Sequence, residues 1–468
     1  MNRREFLKTT AMGLPALGMT PTLLRAAESK HAGTPVRPNI LLLVTDQQRW
    51  SALSCAGNRW VQTPYLDELA AGGVRVDRSY CTFPVCSPSR SSLFTGRMPH
   101  ETGVIWNNMS IQAGIPTFGE MLRGAGYDTH YFGKWHVPHV FPETADEIPG
   151  FTSHLLPPGL PPVLAAHGDA TDMLVTGMAA EWLKKQKQPA TQPWCAVVSI
   201  HNPHDICYFY ELAHKPYPNV ETFPPLPANA AVDPDEPDVV QQWRTTRKGG
   251  QFDEATWRAY LQVYYQMTQS ADRALGVTLN ALQASGQADN TLVLFTSDHG
   301  EGAGSHQWPM KLSLYEEEVA VPLLARLPGR ITAGRVDTKT LTSGLDIVPT
   351  ILDYAGVPAP SELRGRSLRP VLDGAGTINR EFVVSELGYE KKPGMTGRMV
   401  VSARYKYNVF GSGTRREQLF DRQNDPGEMK NLAGDASHRT ALDQHRAWLR
   451  TWIQETKDDF QQPKQNQQ

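Results

Sequence analysis

Cys86, Pro88 and Arg90 stand two residues apart in the stretch Cys86-Ser-Pro-Ser-Arg90. Pro88 suits the first turn of a helix, where a missing N–H costs nothing, so Cys86 falls at a helix N-terminus. Unpaired backbone N–H groups and the helix dipole favour an anion there, such as a sulfate or phosphate ester. A thiol at such a point is a nucleophile only where positive charge lowers its pKa; otherwise a buried cysteine is a packing residue. Asp46 and Asp298 each follow an apolar run, Asn39–Val44 and Thr291–Phe295. In open α/β sheets this is the carboxyl-end edge at which ligands bind. With Gln47 and His299 the two aspartates make a candidate cation site. Oxygen donors suit Ca²⁺ or Mg²⁺, while an imidazole nitrogen suits Mn²⁺ or Zn²⁺. Lys134 and His136 are two apart, so on an extended segment they share a face.

These residues need a scaffold, and the hydrophobic pattern describes one. Asn39–Val44 is a continuous apolar run, the pattern of a strand buried on both faces of a parallel sheet. Thr63-Pro64 opens a helix and Gly72-Gly73 closes it. Val74–Tyr80 reads as the next strand. Helix and strand then alternate through Thr117–Ala125, Asp128–Phe132, Asp172–Lys185, Cys195–Ile200, the long Glu254–Ala284 helix and Thr291–Phe295. The expected fold class is α/β, a large mostly parallel mixed sheet flanked by helices. Pro142–His167 and Tyr208–Gly250 show neither periodicity and read as binding loops. From Asn379 the pattern changes to four short strands and a terminal helix, Ala441–Thr456, a smaller C-terminal α+β subdomain. The expected organisation is an export signal over 1–27, a catalytic domain over 36–378 and the subdomain over 379–468.

Cys86-x-Pro88-x-Arg90, followed by Ser92-Leu-Phe-Thr-Gly96-Arg97, resembles the signature of the formylglycine-dependent (type I) sulfatases of the alkaline phosphatase superfamily. Further blocks match in family order: Asn39–Asp46, Thr63–Asp67, Gly133-Lys-Trp-His136, Asn202-Pro-His204, Ser297-Asp-His-Gly300, Lys311 with Tyr315-Glu316, and Asp425-Pro-Gly-Glu428. The resemblance implies an alkaline phosphatase-like fold and oxidation of Cys86 to formylglycine by a formylglycine-generating or sulfatase-maturing enzyme. The hydrate of that aldehyde supplies the nucleophilic hydroxyl. Asp46, Gln47, Asp298 and His299, completed by position 86, are implied as ligands of a divalent cation, Ca²⁺ by preference. Arg90 is implied to orient the hydrate, Lys134 to hold its oxygen or the sulfate, and His136 to act as general base. His204 and Lys311 are implied to bind sulfate and assist the leaving group, with His201 as runner-up to His204. His306 reads as a solvated loop histidine. Two positions depart from the commonest pattern: Gln47 replaces a second Asp, and His299 replaces Asn. Both variants also resemble phosphonate monoester hydrolases. The expected activity is hydrolysis of sulfate esters, of sulfated carbohydrate by preference, with phosphonate monoester or phosphodiester hydrolysis as the alternative. A noncatalytic sulfated-glycan binder fits poorly, because every position the resemblance assigns is filled.

Composition sets bounds on all of this. The 468 residues carry 46 Lys+Arg against 48 Asp+Glu, a net charge of −2, which excludes a generally basic nucleic-acid binder. Asn2-Arg-Arg-Glu-Phe-Leu-Lys8, a weakly apolar stretch and Leu24-Arg-Ala-Ala27 read as a twin-arginine signal. That signal implies the Tat export machinery as a partner and a periplasmic location, with a retained anchor as the second reading. Five cysteines are too few for a disulfide scaffold. Apart from Cys86, the other four (Cys55, Cys81, Cys195 and Cys207) allow three pairings. Among aromatic residues in or near the loops, Trp106, Tyr208, Phe209, Tyr210 and Trp243 are candidates for stacking on sugar rings.

Overall fold

Along the first strand, Ile40, Leu42 and Val44 enter one apolar core while Leu41 and Leu43 enter another. Alternate side chains of a strand point to opposite faces, so a run that is apolar at every position must be covered on both. The structure, a computed structural model, describes residues 37–137, 148–154, 168–186, 192–211, 220–246, 252–388 and 394–462. The expected export signal lies outside the described residues, as does much of the two expected loop stretches.

The strands in chain order are β1 (Asn39–Asp46), β2 (Val74–Val76), β3 (Ser79–Tyr80), β4 (Asp128–Gly133), β5 (Thr152–His154), β6 (Trp194–Pro203), β7 (Thr291–Ser297), β8 (Leu323–Arg326), β9 (Arg335–Asp337), β10 (Thr342–Ser343), β11 (Phe382–Leu387), β12 (Gly397–Ser402), β13 (Tyr405–Phe410) and β14 (Glu417–Asp421). Eight of them form one sheet in the order β5-β4-β6-β1-β7-β8-β2-β9. Within it only β8 runs against its neighbours. The expected mostly parallel mixed sheet is therefore present, with β1 held between β6 and β7. Leu93 and Phe94, Phe118 and Leu122, and Ile347–Leu352 bring helices to one face. Leu66 and Leu69, Ala179 and Leu183, and Leu275 and Leu282 bring helices to the other. Each fully buried Leu, Ile, Val or Phe among these contributes about 1.5–3 kcal/mol.

Two expectations need correction. The strand expected over Val74–Tyr80 is broken: β2 stays in the large sheet, whereas β3 pairs with β10. The charged Asp77-Arg78 step separates them, with Arg75 Nε donating to Asp77 Oδ1 at 2.6 Å. The stretch after Tyr208 is also not all loop. A helix spans Asp238–Thr246, because Val239, Val240 and Trp243 share a face and bury it.

β11–β14 form a four-stranded antiparallel sheet packed by the Arg439–Thr456 helix. Buried ion pairs hold this sheet to the C-terminal segments beside it, and a contact from His100 ties it to the rest of the chain. The Arg398 guanidinium takes both oxygens of Asp458 at 2.6 Å, and Lys406 Nζ lies 2.7 Å from Glu428. His100 Nδ1 meets Glu386 of β11, while its Nε2 meets the Thr456 carbonyl at 3.1 Å.

Candidate active site

The register β1–β7 places Thr45 beside Ser297, so Asp46 and Asp298 emerge side by side at the carboxyl ends of two central strands. Backbone contacts hold them there. Gln47 N and His299 N donate to Asp298 Oδ1 at 3.1 and 2.9 Å, and Ser297 Oγ donates to the Thr45 and His299 carbonyls. Gln47 turns the chain with φ of 69°, a left-handed conformation that costs a non-glycine residue about 1–2 kcal/mol.

A helix over Cys86–Thr95 points its N-terminus at this edge, with Cys86 as its first residue. Cys86 is fully buried. Its Sγ lies 3.0 Å from Lys311 Nζ, 3.3 Å from His299 Nε2 and 3.6 Å from Asp46 Oδ1. Arg90, one turn along, is also fully buried and gathers residues on or just after four neighbouring strands. Its Nε donates to Asp298 at 2.8 Å and one terminal nitrogen donates to Asp46 at 3.1 Å. The other donates to Ser199 Oγ and to the Lys134 carbonyl. Lys134 follows β4 and reaches Asp46 Oδ2 at 2.7 Å.

These distances set the electrostatics. Burial works against ionisation of Asp46, but Lys134, with His204, Lys311 and Arg90, holds it well below the usual carboxylate range. Burial and the neighbouring Asp46 push Asp298 up to about 6, against His299 and Arg90. Burial and Asp46 oppose the Cys86 thiolate, yet Lys311, Lys134 and His299 outweigh them and bring the thiol well below its ordinary value. This is the electropositive setting a reactive position 86 requires. Asp46, Cys86, Asp298 and His299 put one ligand atom each within 4.8 Å of the others, all from buried side chains. Two adjacent carboxylates of which one resists ionisation, plus an imidazole, are a donor set that a divalent cation fits.

Residues 38–357 match the family described as Sulfatase, and residues 304–455 match the one described as N-sulphoglucosamine sulphohydrolase, C-terminal. The chain belongs to the sulfatase family. This sulfatase is a sulfuric ester hydrolase, of a family that generally works with a metal ion and a formylglycine. It is 32% identical over 445 residues to the Delta 4,5-hexuronate-2-O-sulfatase of Bacteroides thetaiotaomicron, covering 91% of this chain and 90% of that one. It is 28% identical over 481 residues to the ulvan-active sulfatase of Formosa agariphila, covering 97% and 89%. A solved 2-O GAG sulfatase superposes with a TM-score of 0.80 at 30% identity, covering 91% of this chain and 93% of that one. The phosphonate monoester hydrolase of Agrobacterium radiobacter gives 0.76 at 25% identity, covering 90% and 96%.

Of the residues singled out from the sulfatase's sequence, Asp46, Gln47, Cys86, Arg90, Lys134, His204, Asp298, His299 and Lys311 lie in one connected cluster. Gln47 joins it through Lys311, whose Nζ donates to Gln47 Oε1 at 2.8 Å. His204 opens the turn after β6, hydrogen-bonds Cys86 and is pushed down to about 4 by burial, Lys134 and Lys311. His201 packs edge-on against it, 4.8 Å between ring centres. The extended-segment reading of Lys134 and His136 fails, because β4 ends at Gly133 and His136 is left-handed, with φ of 57°. His136 meets the Cys86 helix through its backbone carbonyl, which accepts from Ser87 Oγ, and its buried Nδ1 has no hydrogen-bond partner among the described residues. His306 is not solvated: it is buried, stacked 3.8 Å from Tyr315. All five cysteines are free thiols, so none of the three pairings forms. Of the aromatic candidates, Phe209 and Trp243 are core residues, while Tyr208 is 51% exposed with its ring edge towards His204. Ser199, Cys207 and Glu301 touch the cluster and carry no sequence signal beyond their nearness to matched blocks.

Proposed function

We propose that this sulfatase removes sulfate from acidic carbohydrate of the glycosaminoglycan type. The observation that carries the reading is the convergence of Lys311, His299, Asp46 and His204 on Cys86 at a helix N-terminus. Named relatives support the substrate class: one acts on a hexuronate 2-O-sulfate, another is an N-acetylglucosamine-6-O-sulfatase. In this reading Cys86 becomes formylglycine through a maturation enzyme, and Asp46, Gln47, Asp298, His299 and position 86 hold Ca²⁺. Mg²⁺ competes for the oxygen donors, and Mn²⁺ and Zn²⁺ are the competing ions favoured by the imidazole of His299. The sequence of residues 1–27 further supports twin-arginine export to the periplasm.

The aldehyde hydrate at position 86 supplies the attacking hydroxyl, and the cation supplies charge to polarise it and the sulfate oxygens. The chain's own groups do the rest. Arg90 locks Asp46 and Asp298 in place, and with Lys134 and Lys311 it outnumbers these two carboxylates, so the edge of the sheet stays positive towards an anion. Lys134 and Lys311 reach in from opposite elements as donors to sulfate oxygens, where charge builds as the S–O bond breaks. His204, held neutral by burial and the two lysines, and Lys311 face the departing ester oxygen and stabilise it by hydrogen bonds. His136, whose Nδ1 has no other partner among the described residues, accepts the proton that must leave position 86 to restore the aldehyde.

Likeness to phosphonate monoester hydrolases, together with Gln47 and His299, supports a second reading in which phosphoryl substrates are turned over by the same groups. Measuring kcat/KM for sulfated uronate disaccharides, aryl sulfates, phosphonate monoesters and phosphodiesters decides between them. The expected order places a carbohydrate sulfate first, with detectable phosphodiesterase or phosphonate activity. A phosphonate or phosphodiester preferred over every sulfate overturns the assignment.

A further inference from the structure

Gln47 is gripped at both ends of its amide. Lys311 Nζ, which can only donate, meets Oε1 at 2.8 Å; Glu301 Oε2 meets Nε2 at 2.6 Å. Glu301 is fully buried and makes no ion pair among the described residues. Its Oε1 is saturated by Tyr260 Oη at 2.9 Å, Ala303 N at 3.0 Å and Met310 N at 2.6 Å. Its Oε2 is left for the Gln47 amide. A second carboxylate at position 47 would therefore face Glu301 at hydrogen-bond distance with no proton between them, which burial makes costly.

We infer that Glu301 is the positioning residue that turns the Gln47 carbonyl oxygen towards the cation and excludes an acid from position 47. Gln47 Oε1 shares the Lys311 ammonium with Cys86 Sγ and His299 Nε2, so this oxygen borders the same ligand cluster. The inference rests on the cation site proposed above and adds a cause for its reduced negative charge. The carboxylate absent from position 47 stands behind the amide, at 301, where it orients a neutral ligand instead of coordinating.

The test is a swap of acid and amide. In Glu301→Gln, the three donors on Oε1 force the new NH₂ to face Gln47 Nε2, donor against donor, so the Gln47 amide must turn over. In Gln47→Glu, two carboxylates face each other. In the double substitution the acceptor and donor merely exchange places. Titration calorimetry with Ca²⁺ and Mn²⁺ on the purified full chain should show about a 10–100-fold loss of affinity in each single variant, the usual effect of losing a ligand's orienting partner. The double variant should regain most of it. Tyr260→Phe, which removes one donor from Glu301 but leaves its contact with Gln47, should lower the melting temperature and leave cation affinity unchanged. Single variants that bind as the parent does, or a double variant whose loss is the sum of the singles, overturn the inference. Asp298→Ala separates that failure from failure of the site itself. If it too binds normally the cation site is elsewhere, and if it alone loses binding only the role of Glu301 is wrong.

Discussion

Among the described residues, the buried charges around β11 and β12 and those around Cys86 are built on opposite rules. Around β11 and β12, charges close on one another: Arg398 spends its guanidinium on Asp458, and His100 meets Glu386. Around Cys86 nothing closes. Asp46 is shared by Arg90 and Lys134, Asp298 is pushed up to about 6, Lys311 divides itself among Gln47, Cys86 and His299, and His136 and His204 each bury an Nδ1 with no hydrogen-bond partner among the described residues. Saturated pairs hold structure. Groups left with capacity to spare, in a pocket where water cannot supply it, hold a ligand instead.

Breaking the contrast at its sharpest point means Cys86→Ala. Turnover should fall to background while the melting temperature stays within a few degrees of the parent, because the lost group reacts and carries little structure. Retained turnover on any sulfate would end the formylglycine reading. Arg398→Leu should do the reverse. It strands the Asp458 carboxylate, and removing one partner of a buried pair costs about 3–5 kcal/mol. Denaturant unfolding measures the loss, and kcat of the surviving folded protein should match the parent.

The same network gives a pH dependence of known sign. Burial pushes His100 down, but Glu386 outweighs it and lifts it to about 9. A histidine raised in the fold adds stability that is complete below its unfolded value near 6.5 and is lost as pH climbs through the folded value. Thermal melts from pH 7 to 10 should therefore show a decline that His100→Gln lacks. An identical slope in both proteins assigns the decline to another group. The smallest effect belongs to the site's rim. Tyr208→Ala removes an exposed ring beside His204. If that ring stacks on sugar, KM for a sulfated saccharide should rise roughly 2–12-fold, equivalent to about 0.5–1.5 kcal/mol, with aryl sulfate turnover less affected. Equal effects on both substrates would make Tyr208 part of the sulfate pocket.

The elements that bury apolar faces were legible residue by residue. The run Asn39–Val44, the Thr63-Pro64 helix start and the long Glu254–Ala284 helix each carry a local signal strong enough to survive tertiary context. Placement of Cys86 at a helix N-terminus followed from Pro88 alone. What failed was local geometry imposed from a distance. His136 looked extended, but the chain leaves β4 at Gly133 and must turn left-handed to pass the Cys86 helix. His306 looked solvated, but stacking on Tyr315 and a hydrogen bond from its backbone to Asn229 bury it. Glu301 was invisible because its meaning lies in a partner 254 residues away. A carboxylate that orients an amide leaves no spacing or periodicity in the chain.

The order of strands carries a consequence for how the enzyme is made. β1 is made well before its partners: its neighbour β6 begins 155 residues later, and the contact of Gln47 with Asp298 spans 251. Until β7 has left the ribosome, β1 lacks one edge partner and the cation ligands are split between halves of the chain. Closing such distances is slow, and a nascent strand apolar on both faces is prone to associate with other chains meanwhile. The active centre is therefore among the last parts to form. A chain interrupted before Thr291 has made most of its core residues but can assemble no catalytic edge, so damage during synthesis yields aggregation rather than a weak enzyme.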